Sequence, residues 1–148
     1  MKELFEMQMP KIKAIKIDVE KQSIYEIEID NTLQAKYKAI GNDCNLIEVG
    51  AYFPHNNILR SFRDVMYVDE ESLIKCTTRA EMLKIGVFKL ALPPANISDR
   101  YCLDRKSIIH TFVGSAIIVG TSNEGDTESH NISLSDVHAR VLGFYRED

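Results

Sequence analysis

From Lys11 to Val19 the apolar residues Ile12, Ala14, Ile15, Ile17 and Val19 are interleaved with Lys11, Lys13 and Lys16, a spacing near two that predicts a half-buried strand. A second series, Ile24, Ile27 and Ile29, is interrupted by Glu26 and Glu28, and the polar run from Glu20 to Ser23 joins the two into a β-hairpin. Antiparallel pairing would set the lysines of the first strand against the glutamates of the second. Asp30, Asn31 and Thr32 then offer capping side chains ahead of a helix ending near Gly41, with Leu33, Tyr37 and Ile40 on its core face and Lys36 and Lys38 in solvent. A third strand is expected over Leu46–Phe53, closed by the Pro54–Asn57 turn, and a fourth over Val65–Val68.

The pattern weakens between Ser72 and Ser107, where only a short helix over Thr78–Ile85 stands out before the Pro93–Pro94 break and a polar loop. Regularity returns with Ile108–Val113. The run Ala116–Val119 has the continuous apolar character of a central strand buried on both faces. Gly120–Thr127 reads as a turn, and a last helix is expected over about Ser135–Phe144 behind Ser133 and Ser135. The expectation is an α+β fold with a single mixed or mostly antiparallel sheet and two to three short helices packed on it. Residues 1–10 form an N-terminal arm, and 11–148 form one domain with an irregular insertion at about 72–107.

Length changes this picture little, since 148 residues suffice to bury a core without disulfides or metal. Charge narrows it more: a formal net charge of −4 provides no long-range positive field to gather nucleic acid or anionic lipid. The most apolar run, Ile108–Val119, is broken by His110, Thr111, Gly114 and Ser115 and is too short to span a bilayer. Cys44, Cys76 and Cys102 are widely spaced and lack a CxxC pair, as expected of free thiols in a reducing cytoplasm.

Candidate chemistry is sparse. Asp69, Glu70 and Glu71 are consecutive at a strand end, so their side chains point apart, and a solvated turn explains them better than a cation site. His55, His110, His130 and His138 show no metal-ligand spacing, and His110 within an apolar strand reads as structural. Cys102, Asp104 and His110 contain the elements of nucleophilic catalysis without marking an activated thiol. Gly114 and Gly120 enclose a strand and so do not make a phosphate-binding loop. No catalytic residue, metal site or cofactor is therefore assigned. The arginine-rich set Arg60, Arg63, Arg79, Arg100, Arg105 and Lys106 is of greater interest, with Tyr52, Phe53, Phe62 and Tyr101 near it in sequence. From it Arg60, Arg63, Arg100, Tyr101 and Arg105 are taken as candidate ligand-binding residues, able to pair with phosphates and stack on a base. The plainer reading is scattered surface arginines and core aromatics.

The opening Ile12–Asp18 strand, the acidic Glu26–Asp30 strand, Tyr67-Val68-Asp69-Glu70-Glu71, the Gly114–Gly120 segment and Ser133-Leu134-Ser135-Asp136 form a recurring pattern. It resembles a family of short proteins, a domain of unknown function, found in bacteria, phages and conjugative elements. The resemblance covers the first seventy residues and the last forty. It implies a setting among mobile elements, where small accessory proteins interfere with host defence, and it brings no catalytic residue.

Together these features lead us to expect a non-catalytic binding or inhibitory accessory protein of a phage or mobile element, cytoplasmic and homo-oligomeric through its Met- and Phe-bearing arm. Its partner would be a host protein or a small nucleotide-like ligand that it sequesters. The rival expectation is a small hydrolase or nucleotide-processing enzyme built from Asp69, Glu70, His110 or His138.

Overall fold

Charge and side-chain alternation set the first two strands, β1 (Lys11–Asp18) and β2 (Ser23–Asp30), in the expected hairpin, with Lys11 opposite Asp30 and Lys13 opposite Glu28. The computed structural model describes residues 11–41, 43–54, 63–72, 78–92, 108–122 and 124–147. After the hairpin come α1 (Leu33–Ile40), β3 (Ile47–Pro54), β4 (Arg63–Asp69), α2 (Arg79–Ile85), β5 (Val87–Leu92) and β6 (Ile108–Val113). The chain ends with β7 (Ala116–Thr121), β8 (Thr127–Glu128), α3 (Leu134–Arg140) and β9 (Val141–Tyr145).

The architecture is α+β with antiparallel pairing throughout the described strands, but these divide between two sheets where one was expected. The larger runs β2-β1-β7-β4-β3, with β8 also on β7, and the smaller runs β6-β5-β9. Burial explains the division. β7 lies in the middle of the larger sheet and is apolar on both faces, so both faces need cover. Ile117 and Val119 pack with Ile12 and Ala14 of β1 beneath Ile40, the last residue of α1, and Cys44 just beyond it. On the opposite face Ala116 and Ile118 meet Phe88 and Leu90 of β5 and Val137 of α3. β1 is thus covered on both sides from Ala14 onward, beyond the half-burial its alternation suggests.

The chain passes from β6 in one sheet to β7 in the other through Gly114 and Ser115. Gly114 has φ +88, a conformation open to glycine, and the Ser115 hydroxyl accepts the Val19 N–H at 3.1 Å. In α1, Thr32 caps the first turn and Tyr37 and Ile40 face the core, but Leu33 is half exposed and the Lys36 ammonium donates to Thr127 Oγ1 at 3.1 Å rather than standing in water. The expected helix at the carboxyl end stops at Arg140. The Val141–Tyr145 stretch pairs with β5 instead, putting Val141 and Phe144 onto the core. Residues 78–92, inside the stretch read as an insertion, form the expected helix α2 and then β5, whose Phe88 and Leu90 are completely buried. The expected arm at 1–10 lies outside the described residues.

Candidate functional site

Among the described residues, the outer face of the smaller sheet is covered only in part, by α2. α2 begins with a reciprocal cap, Thr78 Oγ1 accepting the Glu81 N–H at 3.1 Å while its hydroxyl donates to Glu81 Oε1. Met82 and Leu83 then rest on Val87 and Val113. Gly86, at φ +110, turns the chain directly into β5, and a Cβ there would lie 2.9 Å from the Cβ of Val19, so this corner sits tight against the end of β1.

Beyond the reach of α2, β5 and β9 present Lys89 opposite Gly143 and Val87 opposite Tyr145. Gly143 leaves room for the Tyr145 ring to fold back along its own strand, since a Cβ would stand 3.0 Å from the phenolic oxygen and 3.2 Å from Cζ. The Lys89 ammonium lies 5.3 Å from the centre of that ring. Past the strand, Glu147 N–H donates to Leu83 O at 2.8 Å, and Arg146 donates through Nη1 to Glu20 O at 3.3 Å and through Nε to Lys84 O at 3.5 Å. The C-terminal residues are thereby tied to the last turn of α2 and to the hairpin.

That hairpin is itself fixed by Asp18, whose Oδ1 accepts the N–H groups of Glu20 (3.0 Å) and Lys21 (3.1 Å) and whose Oδ2 accepts the Tyr25 hydroxyl at 2.6 Å. Burial pushes the Asp18 carboxyl up, but the Tyr25 hydroxyl, the two amides and the Lys16 charge together outweigh it and hold the group below its ordinary range. Burial and then the Asp18 hydrogen bond and charge push Tyr25 up to about 12. The turn delivers Gln22, at φ +50, to the same outer surface.

Between these elements is a cleft of about 770 Å³, in the size range of small-molecule sites. Met82, Leu83 and Val87 give it an apolar side, and Arg79, Lys89 and Arg146 bring three cations to it, with Tyr145 and Thr111 beside them. Glu147 is the one carboxylate among the described lining residues, and none of these is a histidine or cysteine. On a chain of net charge −4 this is a local reversal of sign suited to an anion. Arg146 also borders a smaller cleft of about 290 Å³, where Glu20, Asp43 and Asp69 outnumber Lys84 and Arg146, so no excess of positive charge arises there.

Of the candidate binding residues, Arg60, Arg100, Tyr101 and Arg105 lie outside the described residues, and Arg63 is described only as backbone, pairing with Pro54 and Thr121. Arg79, from the same basic set, lines the cleft, and it is the member of that set whose side chain is among the described residues. Asp69 caps a turn, its Oδ1 accepting the Glu71 N–H and its carbonyl the Ser72 hydroxyl. His110 stands exposed on the edge strand β6 against Phe112, and His138 is exposed on α3. Among the described residues no three His, Cys, Asp or Glu side chains gather as a metal site would require.

Lys89, Tyr145 and Arg146 were not legible as site residues. A lysine between Phe88 and Leu90 is the available sign of a two-sided strand, and a helical reading of 135–144 hides the strand that sets Tyr145 beside it. No protein-family model matches the chain, and no curated protein or solved structure is significantly similar to it.

Proposed function

We propose that this chain is a non-catalytic binding protein that captures a small anionic ligand in the cleft between α2 and the outer face of β5 and β9. The observation that carries this reading is the meeting of Arg79, Lys89 and Arg146 at one cleft. Guanidinium forks pair with phosphate or carboxylate in two parallel hydrogen bonds, and Lys89 adds a mobile point charge. The present partners of two of these cations are weak. An exposed cation–π contact is worth about 0.5–1 kcal/mol, and among the described residues Arg146 reaches only neutral carbonyls, at 3.3 and 3.5 Å, so a bound anion would replace both sets of contacts favourably.

Capture without turnover also fits an accessory role in a mobile element, where sequestering a host ligand is itself the effect. The test is calorimetric titration with inorganic phosphate, pyrophosphate and citrate at 50 and 200 mM salt. Saturable binding that weakens with salt, and that falls about tenfold in Lys89→Met and in Arg79→Met, supports the reading. Absence of saturable binding for all three anions, or binding indifferent to both substitutions, overturns it.

A further inference from the structure

We infer that the ligand class this cleft selects is a nucleoside phosphate, its phosphate among the cations and its base on the apolar side against Tyr145; the inference rests on the anion-binding reading above. Size is the first argument. A bare phosphate occupies a small fraction of about 770 Å³ and would leave the surface of Met82, Leu83 and Val87 wet.

The distribution of chemistry is the second. Charge comes from three separate elements, the first turn of α2 (Arg79), the middle of β5 (Lys89) and the residue after β9 (Arg146), while the apolar surface belongs to the α2–β5 corner. A ligand that satisfies both needs an anionic group joined to a flat apolar one.

The third argument is the aromatic ring. Tyr145 lies back along its strand in the space over Gly143 and stays 45% exposed, so part of a large ring remains accessible for stacking. The Lys89 ammonium now occupies part of that ring, and its natural second position is the phosphate. Ligand entry would therefore exchange one partner for each group: Lys89 moves from ring to phosphate, and the ring passes from ammonium to base. Thr111 and Gln22, also on the cleft, supply neutral hydrogen-bonding groups of the kind that ribose hydroxyls and base edges require.

Titration of the full chain with the four nucleoside 5′-monophosphates, ribose 5-phosphate and inorganic phosphate tests this. At least one nucleotide should bind about tenfold or more tighter than ribose 5-phosphate, and Tyr145→Ala should remove that margin without weakening ribose 5-phosphate, since Lys89 then has no ring contact to give up. Lys89→Met should weaken the nucleotide and ribose 5-phosphate alike. If ribose 5-phosphate binds as tightly as every nucleotide, the base site is wrong and the anion site stands. If neither binds and inorganic phosphate and citrate also fail, both readings fall. A nucleotide margin that survives Tyr145→Ala, in a variant with unchanged circular dichroism, also overturns the assignment of the base to Tyr145.

Discussion

Asp64 holds Asn131 by both of its hydrogen-bonding arms: one carboxylate oxygen accepts the Asn131 backbone N–H at 2.8 Å and the other the side-chain amide at 3.1 Å. The Ile132 N–H donates to the same carboxylate, which is almost fully buried at the start of β4. This contact fixes the segment that crosses from β8 to α3, and so places Val137 in the core between the sheets. Asp64→Ala would leave two backbone donors without their acceptor, each worth about 1–3 kcal/mol. Urea unfolding should show a loss of about 3 kcal/mol, with Asp64→Asn intermediate. A loss below about 1 kcal/mol would mean that the crossing segment is held by something else.

The same crossing passes directly over β7. A Cβ on Gly120 would stand 2.3 Å from the carbonyl oxygen of Ser129, a backbone atom that cannot swing aside, and 3.0 Å from the Asn131 amide nitrogen. Gly120→Ala should therefore cost about 2 kcal/mol or more by forcing the backbones apart. Gly125→Ala is the comparison: it has open space but φ +89, so only the conformational penalty of roughly 1 kcal/mol applies. Thermal unfolding should rank Gly120→Ala below Gly125→Ala, and the reverse order would contradict the close approach.

These contacts also show where sequence reasoning runs short. Local patterns carried the hairpin, the caps of α1 and α3 and the two-sided burial of β7, because alternation and capping are properties of neighbouring residues. The partnership of Asp64 with Asn131 joins residues 67 positions apart, and at position 64 an aspartate looks like any polar residue ahead of a strand. The second sheet was hidden for a related reason. Phe88 and Leu90 alternate over too few residues to announce a central strand, and its partners β6 and β9 come from distant parts of the chain. Tyr145 and Arg146 became site residues only through that pairing, whereas Arg79 could be noticed as a basic residue near a helix start without its surroundings.

Asp18 and Tyr25 give a pH signature. A carboxyl held below its ordinary value of 3.8 stabilises the fold above that pH, and the contribution is lost as pH falls through the lowered folded value. A phenol pushed up to about 12 from 10.0 contributes fully below pH 10 and is lost as pH rises toward 12, because the unfolded chain ionises first. Tyr25→Phe removes the bond between them. Its deficit in urea stability should be about 1 kcal/mol across neutral pH and should shrink at both extremes. A deficit that stays constant from pH 3 to pH 11.5 would show that the two groups do not titrate as a pair.

His130 offers a separate check on the edge of the larger sheet. Its Nε2 lies 2.7 Å from Glu26 Oε2 and its Nδ1 2.8 Å from Ile132 O, so both ring nitrogens face acceptors. His130→Ala should cost about 1–2 kcal/mol in urea unfolding, since the ring is mostly buried. Glu26→Ala should cost less, about 0.2–1 kcal/mol, because the carboxylate is 45% exposed. Equal losses in the two variants would indicate that the Ile132 contact contributes nothing.

Gly143 tests the cleft without touching its charges. The nearest atoms to a Cβ at this position belong to the Tyr145 ring, at 3.0 to 3.3 Å, and that ring is the far end of a half-exposed side chain with room to move. Gly143→Ala should therefore push the ring outward rather than strain the sheet, leaving unfolding stability within about 0.5 kcal/mol of the parent. The displaced ring would lose its place under the Lys89 ammonium, changing the Tyr145 ring-proton shifts and the Lys89 side-chain shifts together in NMR spectra. A variant with unaltered shifts at both residues, or one that loses several kcal/mol of stability, would show that Gly143 serves the packing of β9 rather than the placement of the ring.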